Sequence, residues 1–273
     1  MPFEGYPGSD CHISIQITAG TDEQKAPHLL SFRTHHSQET LLQIEVEEKT
    51  NEIPIALAYL PALPVAGRVF TADALHTHVP FFLRVQQLEG DAVLVVKDNQ
   101  PTLHEHLATY FADPSASFEE AETTDLQRGR KEIRHIKVTC ALSDYLQRDW
   151  PGVAQVAQLT RTVTTKKTGK TTFEVVYIIT TLSRQQACLQ RLLELVRGHW
   201  SIENGSHHVR DVTFLEDRSR LRTGHAPQIL AALRNLVMTL IHRHGSSQIA
   251  STRRSLSSHP ERAFAWLLVP QAA

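Results

Sequence analysis

The sequence predicts an α/β protein, and three observations carry the prediction. Residues Gly67–Phe111 pass through strand and helix patterns in the order β-α-β-α. Ala92–Val96 is a continuous apolar run, the mark of a strand covered on both faces of a parallel sheet. The last third carries apolar stripes at helical steps instead of alternation.

Each element follows from local pattern. Residues 1–27 are weakly patterned, with one β-like run at Ile13–Thr18. His28–Thr34 reads as a strand. So does Leu41–Glu47, where Leu42, Ile44 and Val46 alternate with polar residues. Ile53, Leu57 and Leu60 predict a short helix ended by Pro61 and Pro64. Arg68–Asp73 is a strand that finishes on an acid, and Val79–Leu88 is a helix stopped by Gly90. After the Ala92–Val96 strand, Pro101 opens a helix to about Phe111. Acid-rich residues 113–125 read as a loop. Residues 131–142 and 153–180 read as antiparallel strands joined through Trp150-Pro151-Gly152. Within them, Thr164–Lys170 is a hairpin turn with basic flanks. Ser183 and Gln186 form a capping box. Leu192, Val196, His199 and Glu203 then share one helix face. Pro227 starts another helix, with Ile229, Leu233, Leu236 and Leu240 as its stripe and Gly245 as its end.

Composition narrows the function. At 273 residues and 41% hydrophobic, the chain can bury a sizeable core. No apolar run is long enough to span a bilayer, and no signal peptide opens the sequence. Cys11, Cys140 and Cys188 are scattered and odd in number, which fits a reducing cytoplasm and excludes a disulfide framework. The net charge is −1, but residues 171–273 hold 12 Arg, no Lys and 7 acids, a balance of +5 that leaves −6 on residues 1–170. An arginine-only final third is either a phosphate-facing surface or an ordinary helical exterior. There is no P-loop, GxGxxG or GxSxG, so nucleotide cofactors and serine-hydrolase chemistry have no support.

Three constellations can carry chemistry. Asp73, in Thr71-Ala72-Asp73-Ala74-Leu75-His76, ends a strand where α/β sheets gather ligands. It is either a metal-directed carboxylate or a helix N-cap. Glu203 continues an apolar stripe that turns polar, followed by His207 and Arg210. A carboxylate there is either paired with one of those two or bound to a cation. Arg210, Asp211, Glu216, Asp217, Arg218, Arg220 and Arg222 form an array that either contacts phosphate or pairs with itself. Histidine pairs such as His76/His78 and His207-His208 join no cysteine and no HExxH pattern, and read as surface or capping residues, not as a zinc site.

At this point the residues resemble a known family. Residues 197–217, RGHWSIENGSHHVRDVTFLED, are similar to the signature HWxIENxLHWxxDVxFxED of the ISAs-type insertion-sequence transposases, the group that includes the H-repeat-associated proteins. Residues 71–77 and 96–103 resemble that family's TADALHT and KGNQPTL motifs, and residues 49–53 resemble KSNEI. Residues 222–228 with 233–235 resemble RxGNAP followed by LRN. The motifs keep the family's order over about residues 28–268.

The resemblance implies an RNase H-like mixed sheet flanked by helices, with a β-rich insertion before the last catalytic helix. It divides the chain into a degenerate N-terminal segment (1–27), a first core part (28–112), the insertion (113–182) and a helical part completing the core (183–273). It implies a DDE site in which Asp73 and Glu203 match the second and third acids, and two Mg²⁺ or Mn²⁺ ions as cofactors. It implies DNA as partner, both element ends and target, and a homodimer as the active form. Lys97, Arg210, Arg218 and Arg222 are the candidates for DNA contact. Asp10 stands near the place of the first acid, but the family's DGKxxRG motif is not matched around it, so a copy truncated or frameshifted at its start is expected. Two functions follow: a DNA transposase that cuts and transfers strands, or a remnant that binds DNA or full-length transposase without catalysis.

Overall fold

The computed structural model describes residues 12–18, 28–46, 52–127, 129–202, 209–216, 219, 221 and 224–268. They fall into two compact units. One comprises described residues of Ser9–Ile55 and Gly198–Ala273, the other those of Ala56–Arg197.

The first unit opens with strands β1 (His12–Thr18), β2 (His28–Thr34) and β3 (Thr40–Val46), an antiparallel meander with β2 in the middle. The central strand is buried along Leu29–Thr34, so side chains on both of its faces are covered. Helix α1 (Glu52–Tyr59) follows it in the chain.

The second unit is a six-stranded mixed sheet flanked by helices, the mixed α/β architecture the sequence predicts. Strand β4 (Val69–Ala72) is followed by helix α2 (Val79–Gln87), strand β5 (Asp91–Val96) and helix α3 (Pro101–Ala112). Four long strands come next: β6 (Glu119–Gln127), β7 (Arg130–Thr139), β8 (Gln155–Thr165) and β9 (Thr171–Thr180), with a single helical turn, α4 (Ser143–Leu146), between β7 and β8. Their order is β4-β5-β9-β8-β7-β6. β4 and β5 are parallel, β5 and β9 antiparallel. Every residue of Ala92–Val96 is buried, with α2 lying against β5. Phe81, Phe82 and Val85 of α2 and Leu103, Leu107 and Phe111 of α3 supply buried faces at helical spacing. Ring contacts pin both helices: Phe82 meets Trp150 edge-on at 5.7 Å between centroids, and His104 meets Tyr177 at 5.0 Å.

The acid-rich stretch predicted as a loop holds strand β6. Its acids find cations across the ladder. Glu120 lies 3.0 Å from His135 Nε2 and 3.6 Å from Lys137, and Asp125 lies 2.7 Å from Arg134. Charge complementarity with β7 replaces the hydrophobic alternation that marks a strand in isolation. Further along, Arg134 and Arg161 face each other directly in the register. Glu132 bridges both, and Asp125 and Glu174 complete the neutralisation.

Helix α5 (Leu189–Ile202) buries Leu192, Val196 and His199, the stripe read from the sequence. The Ser183–Gln186 box forms, with the Ser183 amide donating to Gln186 Oε1 at 2.9 Å, but it closes a turn ahead of the helix.

In the first unit, helices α6 (Ala226–Arg243), α7 (Ile249–Ser258) and α8 (Pro260–Leu268) complete the described chain. The face of α6 differs from the expected one. Ile229, Leu233 and Leu236 are 50–57% exposed, and the buried positions are Ala231, Asn235, Met238 and Ile241. The helix is apolar on more than one side, so two stripes fit the helical period. The side that packs carries a polar tie: Asn235 Nδ2 donates to Gln43 Oε1 of β3 at 3.1 Å. Met238 and Ile241 join Ile249 in a small core with Phe214, Leu256 and Trp266 around it.

Candidate active site

The carboxyl ends of the parallel strands β4 and β5 build the candidate site. β4 stops at Ala72, and Asp73 follows in extended conformation before a single 3₁₀ turn, Ala74–His76. The turn closes with the His76 amide on the Asp73 carbonyl at 3.2 Å and the Thr77 amide on the Ala74 carbonyl at 3.0 Å. Asp73 therefore occupies an N-cap position, yet its side chain makes no capping hydrogen bond. Its Oδ1 is buried and has no hydrogen-bond partner among the described residues. A buried carboxylate oxygen without a donor is unfavourable unless a cation meets it. Of the two readings open in the sequence, the capping one lacks its hydrogen bond.

The loop after β5 holds this turn in place. Lys97–Gln100 turns tightly, the Gln100 amide donating to the Lys97 carbonyl at 3.0 Å, and Pro101 starts α3. From this loop Asn99 Nδ2 donates to the Ala74 carbonyl, and Gln100 Nε2 donates to the Thr77 carbonyl at 2.9 Å. In return, the Thr77 hydroxyl donates to the Val95 carbonyl at 2.5 Å and lies 3.2 Å from the Asp73 carbonyl. The two sequence motifs thus form one cross-linked body around Asp73. In the sequence Thr77, Asn99 and Gln100 stand out only as members of the two motifs. Their pairing across 18 to 25 residues is not visible in any local pattern.

His76 lies under the turn, 1% exposed and 6.3 Å from the Phe81 ring. Burial first, and the neighbouring His78 second, push its pKa down to about 4. Neither ring nitrogen has a hydrogen-bond partner among the described residues.

The predicted site residues are distributed as follows. Lys97 is exposed at the carboxyl end of β5, beside the strand that ends at Asp73. Arg210 is buried, in a π-turn at Val209–Thr213 of the other unit. It binds the Glu216 carboxylate through Nε and through Nη2, the latter at 3.0 Å, and Arg234 reaches the same carboxylate at 3.1 Å. Arg33 is also buried there, and burial, then the Arg210 charge, lower its pKa to about 10. Asp10, Glu203, Arg218 and Arg222 lie outside the described residues. Among the described residues no group of three or more His, Cys, Asp or Glu side chains could hold a metal ion, and no helix is long and apolar enough to cross a membrane.

Comparison with known proteins supplies the wider context. The family profile described as "Transposase DDE domain" matches residues 28–240. The "H repeat-associated putative transposase YhhI" of Escherichia coli K12 is 27% identical over 225 residues, covering 79% of this chain and 58% of that protein. "Putative transposase YncI" of Escherichia coli O157:H7 is 28% identical over 222 residues, covering 79% and 56%. The chain thus spans less than two thirds of the length of these relatives. A solved piggyBac transposase synaptic complex with hairpin DNA aligns with a TM-score of 0.45 and 13% identity over 93% of this chain and 49% of that one. With most of its length matched by the family profile, this chain belongs to the transposase DDE domain family.

Proposed function

We propose that the chain is a metal-dependent insertion-sequence transposase that cuts DNA at element ends and joins the freed 3′-hydroxyls to target DNA. One observation carries the reading: the Asp73 carboxylate stands at the carboxyl end of an inner strand with a buried oxygen that no donor among the described residues meets. An oxygen ligand of this kind suits a hard divalent cation. Glu203 is a second ligand by position in the family pattern, and Asp10 stands near the place of the first acid without that acid's DGKxxRG motif. When bound, two Mg²⁺ or Mn²⁺ ions activate the attacking oxygen and stabilise the leaving one.

The protein's own part is orientation. Asn99, Gln100 and Thr77 fix the backbone that follows the carboxylate, so it needs no rearrangement when the scissile phosphate arrives. Lys97, Arg218 and Arg222 serve as phosphate contacts. Arg210, the remaining candidate for DNA contact, is buried and held by Glu216. In this reading residues 28–112 and 183–273 form the two parts of an RNase H-like core, 113–182 the insertion and 1–27 a degenerate lead. A homodimer acting in the cytoplasm would bring two element ends together.

The test is strand transfer of labelled element ends with Mg²⁺ or Mn²⁺. We expect product from the wild type and none from Asp73→Asn or Glu203→Gln. Product that persists in both variants rejects the assigned site. DNA binding by a wild type that yields no product selects the non-catalytic remnant instead.

A further inference from the structure

The two hairpins at the far end of the long strands carry a charge pattern the site does not use. Residues 126–131 and 163–173 contain Arg128, Arg130, Lys131, Lys166, Lys167 and Lys170 and not one acid. In a chain of net charge −1, that is a strong local excess. Arg130, Lys131, Lys166, Lys167 and Lys170 are all exposed. None of the five takes part in an ion pair among the described residues. The nearest acids are committed elsewhere: Glu132 to Arg134 and Arg161, Asp125 to Arg134 and Arg197, Glu174 to Arg161.

The backbone brings these cations together. Gly129 and Gly169 turn with positive φ (74° and 66°), as tight hairpins require. The Lys166 amide donates to the Gly129 carbonyl at 2.8 Å, fastening one tip to the other. Arg130 faces Thr165, and Lys131 faces Thr164, across the ladder. Four strands side by side make an edge about 14 Å wide, from ~4.8 Å per strand. That edge covers roughly four base steps of a duplex at ~3.4 Å each. Threonines 164, 165, 168, 171 and 172 supply hydroxyl donors between the cations.

Register fixes where the edge points. Asp73 follows Ala72, which pairs with Leu94, so it stands level with Val95, whose partner on β9 is Ile178. β9 runs antiparallel to β5, so its residues Thr171–Val176 extend past the carboxyl end of β5. The tips therefore project from the same edge of the sheet as Asp73. Thr171 is seven residues beyond Ile178, about 23 Å at ~3.3 Å per residue, or roughly seven base steps.

We infer that the paired hairpin tips, through Arg130, Lys131, Lys166, Lys167 and Lys170, grip the phosphate backbone of duplex DNA some six to eight base pairs from the phosphate presented to Asp73. The inference rests on the transposase reading for the presence of DNA at Asp73. A rigid, evenly spaced polyanion fits an acid-free rim of this width, and a duplex reaching Asp73 across this edge runs beneath it.

The test compares the wild-type full chain with the triple variant Lys166→Gln, Lys167→Gln, Lys170→Gln on a 30-base-pair DNA duplex carrying an element end, titrated at several salt concentrations. Each lost phosphate contact lowers the slope of log K against log salt by about 0.9, so the loss of two to three contacts should lower the slope by about 1.8 to 2.7 and affinity at 0.1 M salt by about 60- to 500-fold. Phosphate-ethylation interference should lose its signal six to eight nucleotides from the cleavage point. The substituted residues are exposed turn positions, so an unchanged melting temperature shows that the fold is intact. An unchanged slope in a folded variant overturns the inference. So does a variant that loses affinity only for an RNA duplex of the same sequence. If the wild type binds and cleaves DNA while the variant keeps its slope, the hairpin assignment fails alone. If the wild type neither binds nor cleaves, the transposase reading falls with it.

Discussion

Acid should loosen this protein through one imidazole. His76 is buried beneath the Asp73 turn, and its pKa falls from 6.5 to about 4 on folding. Between those two values the unfolded chain binds the proton and the folded chain does not, so stability rises with pH across the window. The contribution is fully present above about pH 6.5 and lost as the pH falls to about 4. At about 1.36 kcal/mol per pH unit, the full loss is about 3 kcal/mol. At pH 5, where the unfolded imidazole is mostly charged and the folded one mostly neutral, about 2 kcal/mol is already gone. The chain has 16 histidines, so the measurement must isolate this one. Urea unfolding at pH 7.5 and pH 5 is compared for the wild type and His76→Leu, which is close in volume and cannot titrate. The wild type should lose about 2 kcal/mol more than the variant between the two pH values. At pH 7.5 the variant should be no less stable, because the ring nitrogens it removes have no partners among the described residues. Equal pH dependence in the two proteins would refute burial of a neutral His76.

Two further outcomes are expected. Thr77→Val keeps the shape of a fully buried side chain but removes the donor to the Val95 carbonyl; thermal unfolding should report a loss of about 1–3 kcal/mol, and strand transfer should fall along with it. Glu216→Ala strips the carboxylate from buried Arg210 and exposes its repulsion with Arg33; denaturant unfolding should show a loss of about 3–5 kcal/mol, whereas the isolated change Glu194→Ala on the surface of α5 should cost well under 1 kcal/mol.

The parts of the fold legible in the sequence were those set by short-range pattern. Ala92–Val96 announced an inner strand because every residue in it is apolar. Leu192, Val196 and His199 announced a buried face because their spacing admits only one. Strand β6 was not legible because its acids are satisfied by His135, Lys137 and Arg134, residues nine or more positions away in the chain. The face of α6 was not legible because Ile229, Leu233 and Leu236 satisfy the same helical period as Ala231, Met238 and Ile241, and the choice between them rests on what packs alongside. At the candidate site, the strand-end position of Asp73 was visible in the sequence, but its missing cap bond was not. That required coordinates, as did the task of Asn99 and Gln100, whose targets are carbonyls and leave no trace in residue identity.

That last feature bears on how the two motifs can drift. Asn99 and Gln100 clasp main-chain oxygens and ignore the side chains that hang from them. Alanine or leucine in the first loop can be exchanged for other small or apolar residues without loosening the clasp. The second loop has no such latitude, since only an amide of the right length reaches each oxygen. Variation among descendants of this chain should therefore be lopsided, tolerated at positions 74 and 75 and punished at 99 and 100.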